Sequence, residues 1–183
     1  SNIVNSGSIN MGVAAIGMYS DNAKITNNGF IDNYGAASDI MDSRAGMYAV
    51  NNSDVINNNT INAGDIGIGM YGEYSYMANN GTVKTGNTYT YPDNTQINDF
   101  AVGMYGYYAS GISNTQTIES GEKSIGIYSF KQTGKMENTG YITSGGTQSV
   151  GAYIEYAGET GVKQEFVNKG LIYLTGDNSV GIA

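Results

Sequence analysis

Two short phrases near the start of the chain decide its fold: IVNSGSI at residues 3–9 and IGMY at residues 16–19. Both phrases return along the 183 residues, in strict alternation. The second phrase is an apolar residue, Gly, another apolar residue and usually Tyr, and it begins at Ile16, Ala45, Ile68, Val102, Ile125, Val150 and Val180. Motifs that recur every 20 to 50 residues or so are typical of solenoids, in which each unit buries its apolar face against the next.

The first phrase reads apolar, any residue, Asn, any residue, Gly, any residue, apolar. Its seven asparagines are Asn5, Asn27, Asn57, Asn79, Asn114, Asn138 and Asn168. Two copies replace the glycine, one with Asn59 and the other with Gln116. Asn tolerates the left-handed backbone that glycine adopts easily, whereas Gln tolerates it poorly. We therefore expect the turn at Gln116 to be built differently from the others.

Strands, and not helices, are indicated by the spacing of the apolar residues. They fall at every second position within each phrase, and no stretch keeps the period of an amphipathic helix. In the shortest units the repeat is 22 residues, as from Gly7 to Gly29, which suffices for three short strands and three corners. The sequence predicts an all-β fold: a parallel β-helix of about seven coils of about 22 residues, plus insertions.

Alternation along each strand predicts which side chains are buried. Ile16 and Met18, with their counterparts in every coil, should point inward and form two apolar columns, while Gly17 and Tyr19 share the opposite face. The seven asparagines should stack as a ladder of side-chain amides that bond from coil to coil. Such a ladder would satisfy buried polar groups at one corner of the rod.

Composition and charge exclude several functions. The net charge of −8, with 16 acidic and 8 basic side chains, argues against nucleic acid as a partner and against anionic membrane surfaces. No apolar run is long enough to insert this segment into a membrane. We predict no cofactor and no metal site: Asp93, Asn94 and Asp99 could ligate calcium, but the repeat of calcium β-rolls is missing.

Catalysis has few candidate groups in this chain. It contains neither His nor Cys, so the commonest general base and the thiol nucleophile are both missing. Two carboxylate pairs, Asp39 with Asp42 and Glu119 with Glu122, could serve as the acid and base of a glycosidase. Both pairs lie in or next to corners, where acidic residues are ordinary turn formers. We therefore expect a non-enzymatic protein and keep a polysaccharide-acting β-helix enzyme as an alternative.

The alternation of Asn-x-Gly-x-Ile with Val/Ile-Gly-Met/Ile-Tyr, in a Cys-free background rich in Gly and Asn, resembles the passenger region of large fusobacterial-type autotransporter adhesins. The resemblance implies a right-handed β-helix that is exported by a translocator barrel elsewhere in a longer chain. It also implies an extracellular position at the cell surface, with a host-cell or bacterial surface protein or glycan as the partner. Because the chain enters its repeat at residue 3 and stops within another at Ala183, we expect it to be an excerpt.

Binding residues are expected where the repeat is interrupted, because loops on a rigid scaffold often carry binding. Extra residues lie near 32–44, 84–101 and 154–165. Tyrosines concentrate around the second insertion, and the binding candidates are Tyr74, Tyr76, Tyr89, Tyr91, Tyr107 and Tyr108. A tyrosine offers a flat apolar face and a hydrogen-bonding tip, which suits protein and sugar ligands. Two alternatives remain at this stage: the tyrosines only stack coil on coil, and the rod is a passive spacer.

Overall fold

The computed structural model describes residues 1–33, 44–88, 100–156 and 164–183. The strands in these ranges are β1 (Asn2–Asn5), β2 (Ser8–Met11), β3 (Ile16–Asp21), β4 (Lys24–Asn27), β5 (Phe30–Asn33), β6 (Arg44–Val50), β7 (Asp54–Asn57), β8 (Thr60–Asn62), β9 (Gly67–Glu73), β10 (Tyr76–Asn79), β11 (Thr82–Lys84), β12 (Val102–Tyr107), β13 (Gly111–Asn114), β14 (Thr117–Ser120), β15 (Ile125–Phe130), β16 (Met136–Asn138), β17 (Tyr141–Ser144), β18 (Val150–Glu155), β19 (Phe166–Asn168), β20 (Leu171–Leu174) and β21 (Val180–Ile182).

Every third strand along the chain joins the same sheet. The result is three parallel sheets of seven strands, which we call sheets A, B and C after the first, second and third strand of each coil. The molecule is thus a right-handed parallel β-helix of seven coils. The repeats predict the parallel β-helix and its number of coils, and the family resemblance implies its hand. The Asn-x-Gly phrase supplies sheets A and B with the bend between them, and the Ile-Gly-Met-Tyr phrase supplies sheet C.

Insertions change the length of a coil without changing the register of its strands. Stacked asparagines of sheet A are 22 residues apart where the coil is shortest and 35 apart where it is longest. The first two insertions fall between a sheet B strand and a sheet C strand, and the third falls between sheet C and sheet A. Most of the extra residues, 34–43, 89–99 and 157–163, lie outside the described residues.

The core is a narrow column that receives side chains from all three sheets. Its members are mostly Ile and Met, and nearly all of them have no exposed surface. Sheet A contributes Ile25, Val55, Met77, Ile112 and Met136; sheet B contributes Ile31, Ile61, Val83, Ile118 and Ile142; sheet C contributes Met18, Met47, Met70, Met104, Ile127 and Ala152. Each coil from the second to the fifth therefore closes its core with three side chains larger than Ala, which no coil could cover alone.

The predicted direction of the Ile16 column is wrong. A Cβ built on Gly103 would lie 2.5 Å from the Ile118 Cγ2 atom, so the missing side chain of this glycine points into the core. Met104 also points inward, and two successive inward positions mean that the chain bends at the glycine and interrupts the alternation. Val102, the counterpart of Ile16, consequently lies outside the core cluster and lines a groove, although its side chain is only 4 % exposed.

The turn at Gln116 is also not the exception that was expected. Among the described residues with positive φ there is none at the glycine position of the Asn-x-Gly phrase. A Cβ on Gly81 would instead lie 2.1 Å from the Asn59 carbonyl oxygen of the preceding coil, so glycine is favoured here by close stacking. The two copies that lack the glycine make the same hydrogen bond across the bend. Asn57 Nδ2 donates to the Asn59 carbonyl at 2.9 Å, and Asn114 Nδ2 donates to the Gln116 carbonyl at 3.0 Å.

A continuous ladder of amide hydrogen bonds follows the corner between sheets A and B. Each Asn Nδ2 donates to the Oδ1 of the asparagine in the next coil, in six steps of 2.7–2.9 Å. The members are the seven asparagines of the first phrase. The five inner ones have no exposed surface, so their amides depend on one another and on nearby carbonyls for hydrogen bonds.

Candidate functional site

The outer face of sheet C carries a continuous row of tyrosines. A tyrosine column runs along it, with ring centroids of successive coils 4.4–5.9 Å apart: Tyr19, Tyr48, Tyr71, Tyr105, Tyr128 and Tyr153. Most neighbouring rings are stacked within 18° of parallel, but Tyr105 is turned 78° from Tyr71 and 76° from Tyr128. The stack is therefore interrupted in the fourth coil.

Two phenols of the tyrosine column are held in their neutral form. Burial raises the pKa of Tyr71, and the charges of Tyr48 and Glu73 add to this. Burial also raises the pKa of Tyr128, whose hydroxyl donates a hydrogen bond to Glu155. In both cases the tyrosinate would be poorly hydrated and would lie beside a carboxylate, so the folded state disfavours ionisation.

This arrangement predicts unfolding at alkaline pH. An unfolded tyrosine has a pKa of ~10, and below that pH the neutral phenols contribute their full stability to the folded state. This contribution is lost as the pH rises from there towards the raised pKa values of the folded protein. We expect tyrosinate absorbance to rise together with the loss of the β-sheet circular dichroism signal. Tyr128→Phe should move this transition to higher pH, whereas Tyr19→Phe, at the exposed end of the column, should leave it in place. Full ionisation of the tyrosines with the sheet signal intact would contradict the prediction.

A second group of aromatic residues lies at the corner that follows sheet C. We call Tyr74, Tyr107, Tyr108, Phe130 and Lys131 the corner cluster. Tyr74 stacks on Tyr108 with centroids 5.1 Å apart, and Tyr107 stacks on Phe130 at 5.2 Å. Tyr107 and Tyr108 meet edge to face at 4.9 Å. The Lys131 Nζ atom lies 5.3 Å from the Tyr108 centroid and 5.4 Å from that of Phe130, within the range of cation–π attraction.

Two tyrosines of the corner cluster adopt a backbone conformation that tyrosine disfavours. Tyr74 and Tyr108 each have φ of 49°, in the left-handed region. The residues that follow the same strand in the first two coils, Asn22 and Asn51, have φ of 52° and 56°. Asn enters this region readily, whereas for most other L-residues it costs on the order of 1–2 kcal/mol. The corner thus carries tyrosine where the backbone favours Asn.

The structure brings together three of the six predicted binding tyrosines, namely Tyr74, Tyr107 and Tyr108. Tyr76 lies apart from them in sheet A, where it is 40 % exposed and its ring covers Gly111. Tyr89 and Tyr91 lie outside the described residues. Phe130 and Lys131 were missed, although their positions relative to the IGIY phrase match those of Tyr107 and Tyr108 relative to VGMY.

A groove of about 530 Å³ runs beside the tyrosine column and was not expected from the sequence. Its floor is the apolar column that was predicted to point inward, here Ile68, Val102, Ile125 and Val150, of which Val102 and Ile125 are themselves buried. One wall is formed by Tyr105, Tyr128 and Tyr153, and the opposite side includes Ile66, Phe100, Lys123 and Gln148. This size is within the range of about 300–1,000 Å³ typical of small-ligand sites.

The carboxylates considered for catalysis are engaged elsewhere or not described. Glu119 pairs with Lys84 at 2.8 Å on the outer surface of sheet B. Glu122 accepts a hydrogen bond from Thr147 at 3.1 Å and lies 4.0 Å from Lys123. Asp39 and Asp42, like the calcium candidates Asp93, Asn94 and Asp99, are outside the described ranges.

Within residues 1–33, 44–88, 100–156 and 164–183, no three His, Cys, Asp or Glu side chains are grouped so that they could hold a metal ion. The same ranges contain no helix that is long and apolar enough to cross a membrane. Comparison with protein-family profiles, curated proteins and solved structures finds no match for this chain. The site must therefore be interpreted from its own geometry.

Proposed function

We propose that this β-helix is a non-enzymatic adhesive module of an exported, surface-displayed passenger, and that the corner cluster contacts the partner. The observation that carries the proposal is the pair Tyr74 and Tyr108, which the chain keeps in a left-handed conformation at an exposed corner. Backbone strain of this kind is typical of binding sites, where the surrounding structure supports it. The resemblance of the repeats to autotransporter passengers supports export to the cell surface, with the translocator barrel elsewhere in the parent chain.

The chemistry of the corner cluster suits a protein or glycan partner on a host cell or another bacterium. Tyr74 is 46 % exposed and its ring is already ordered by stacking on Tyr108, so little side-chain entropy is lost on binding. Lys131 adds a cation beside two aromatic faces. Large, rigid aromatic side chains with polar tips are enriched among the residues that dominate binding energy. A rigid rod beneath them would hold this surface away from the cell.

The proposal predicts that binding and folding can be separated at the corner cluster. In the double variant Tyr74→Asn with Tyr108→Asn, beads coated with the chain should adhere to host cells or bacteria at least tenfold less. The free energy of unfolding should change by less than about 1 kcal/mol, because relief of the left-handed strain offsets the lost ring contacts. Adherence by flow cytometry and unfolding in urea measure the two effects.

The matched control is Tyr173→Asn, which removes a tyrosine that is 58 % exposed on sheet B, away from the corner cluster. Its adherence should equal that of the parent chain. If the double variant adheres as well as the parent, the corner cluster is not the contact surface, and a passive spacer becomes the better interpretation. If both variants lose adherence equally, the effect is a general loss of exposed tyrosine and the proposal is wrong.

A further inference from the structure

We propose that the groove beside the tyrosine column is a second site, which binds a neutral oligosaccharide. The groove is separate from the corner cluster and does not depend on its role in adhesion. Its floor residues stack in register from Ile68 through Val102 and Ile125 to Val150. At about 4.8 Å per coil this floor is roughly 14 Å long, which suits a short, extended ligand lying along the rod axis.

Tyr105 lines the groove and has no ring stacked parallel to it in the tyrosine column. Tyr71 stacks on Tyr48 and Tyr128 stacks on Tyr153, so the rings on both sides of Tyr105 lie flat across the column. Because Tyr105 is turned nearly perpendicular to both, neither neighbour in the column stacks face to face on it. The apolar face of a sugar ring packs well on such a surface, whereas a column of fully stacked rings would present only edges.

The polar groups of the groove are suited to hydroxyl groups better than to a peptide backbone. Backbone amides of β12, β15 and β18 are paired with neighbouring coils in parallel ladders. The hydrogen-bonding groups that remain are side-chain tips: the phenols of Tyr105 and Tyr153 and the Gln148 amide. An extended peptide needs a partner for an N–H and a carbonyl at every residue, and an unpaired one is costly when buried. The hydroxyl groups of a sugar, in contrast, can form hydrogen bonds with side chains that are irregularly spaced along the groove.

Charge indicates a neutral ligand. The groove contains one cation and one anion, and each is close to an opposite or hydrogen-bonding partner: Lys123 lies 4.0 Å from Glu122, and Glu155 accepts the Tyr128 hydroxyl. Recognition of an acidic polysaccharide would need a cluster of Arg or Lys. Arg44, the one arginine of the chain, is only 3 % exposed and does not line the groove. The net charge of −8 further disfavours an anionic ligand.

The rim of the groove repeats the strain seen at the corner cluster. Ile66, Lys123 and Gln148 have φ of 53–54°, although a β-branched residue such as Ile is rarely found there. The residue at the matching position of the last coil is Asn178, with φ of 57°, and it does not line the groove. The matching residue of the first coil is Ala14, with φ of 52°, and it does not line the groove either. The larger side chains Ile66, Lys123 and Gln148 therefore occupy the left-handed position where it faces the groove, and the smaller Ala14 and Asn178 occupy it where it does not.

The test is titration of the chain with neutral tetrasaccharides built from glucose, galactose, mannose or N-acetylglucosamine, with tetragalacturonic acid as the anionic comparison. Binding is measured by calorimetry and by chemical-shift changes. Val150→Phe would fill the groove, and its control Val180→Phe adds the same ring one coil further on, at a position that does not line the groove. Gln148→Gly keeps the left-handed backbone but removes the amide, with Asn178→Gly as its control.

We expect at least one neutral tetrasaccharide to bind, with affinity reduced tenfold or more by Val150→Phe and by Gln148→Gly and unchanged by either control. The Tyr74→Asn and Tyr108→Asn variant should bind it like the parent, which separates this site from the adhesive corner. The proposal is overturned if no neutral tetrasaccharide binds, if tetragalacturonic acid binds more tightly, or if Val180→Phe weakens binding as much as Val150→Phe. A dimer that is lost in Val150→Phe would assign the groove to a second copy of the chain instead.

Discussion

Replacing Gly126 by alanine is expected to lower the free energy of unfolding by about 3 kcal/mol or more. A Cβ at this position would lie 2.5 Å from the Gly151 carbonyl oxygen in the next coil and 2.5 Å from the Ile142 Cγ2 atom in the core. The carbonyl belongs to a backbone that is hydrogen-bonded along sheet C, so it cannot move unless two coils separate. Overpacking of a tight core costs about 1–3 kcal/mol even when only side chains must shift.

The control for this substitution is Gly181→Ala, in the same glycine column one coil beyond Gly151. A Cβ on Gly181 would meet no atom within 4 Å. It should change stability by less than about 0.5 kcal/mol, as surface substitutions usually do. Both variants can be compared by urea unfolding, with attention to the slope, because coils of a solenoid can unfold in separate steps.

A second variant identifies which contact causes the loss of stability. Ile142→Ala removes the core methyl group near Gly126 but leaves the Gly151 carbonyl in place. The double variant Gly126→Ala with Ile142→Ala should therefore have a much lower free energy of unfolding than Ile142→Ala alone. If the two were equally stable, the side chain and not the stacked backbone would be the obstacle. If Gly126→Ala were as stable as the parent, the inward direction of this glycine would be wrong.

The repeats were sufficient to predict the fold because the spacing of the apolar residues and the identity of the turn residues both indicate short strands joined by tight corners. Strand period, coil length and number of coils all follow from where Asn5, Gly7, Ile16 and their counterparts recur. The alternation rule failed at one position. It treats a strand as regular, whereas the chain bends at Gly17 and its counterparts, so the residue before the glycine leaves the central core for the outer side of the sheet, where Ala45, Val102 and Ile125 are still buried. Two-residue periodicity contains no signal for such a bend.

The candidate sites could be predicted only in part for the same reason. Clustering of tyrosines along the sequence indicated Tyr74, Tyr107 and Tyr108, and the structure places these three together. Phe130 joins them through register with Tyr107, which becomes visible once the coils are aligned. The groove could not be predicted, because its floor exists only if the apolar column beside the glycines faces outward. Register determines the first site and the glycine bend determines the second.

Both candidate sites depend on sheet C remaining in register over several coils. The tyrosine column, the corner cluster and the groove floor are three parallel rows on the outer side of the same strands, with β12 and β15 contributing to each. Their spacing is therefore set by the hydrogen bonds between coils and by the asparagine ladder at the opposite corner. Damage to the ladder should disturb all three rows together, whereas substitutions within one row should remain local.

The ladder can be tested by Asn79→Asp, which we expect to destabilise the chain by about 3 kcal/mol at neutral pH. Asn79 has no exposed surface; its Nδ2 donates to Asn114 Oδ1 at 2.8 Å, and its Oδ1 accepts from Asn57 at 2.9 Å. An aspartate would keep the accepting side but place a second oxygen against the Asn114 oxygen. Burial of an unpaired charge and a lost donor are both strongly unfavourable.

The penalty should depend on pH in a defined direction. Burial and the facing oxygen would raise the pKa of the introduced carboxyl above its unfolded value of ~3.9. Its protonated form can donate to Asn114, so the loss of stability should be smallest below pH ~4 and should grow as the pH rises. Asn168→Asp is the matched control, because Asn168 is exposed and, within the ladder, only accepts a hydrogen bond, from Asn138 at 2.7 Å. It should be nearly neutral at both pH values, and equal losses in the two variants would mean that the direction of the ladder does not matter.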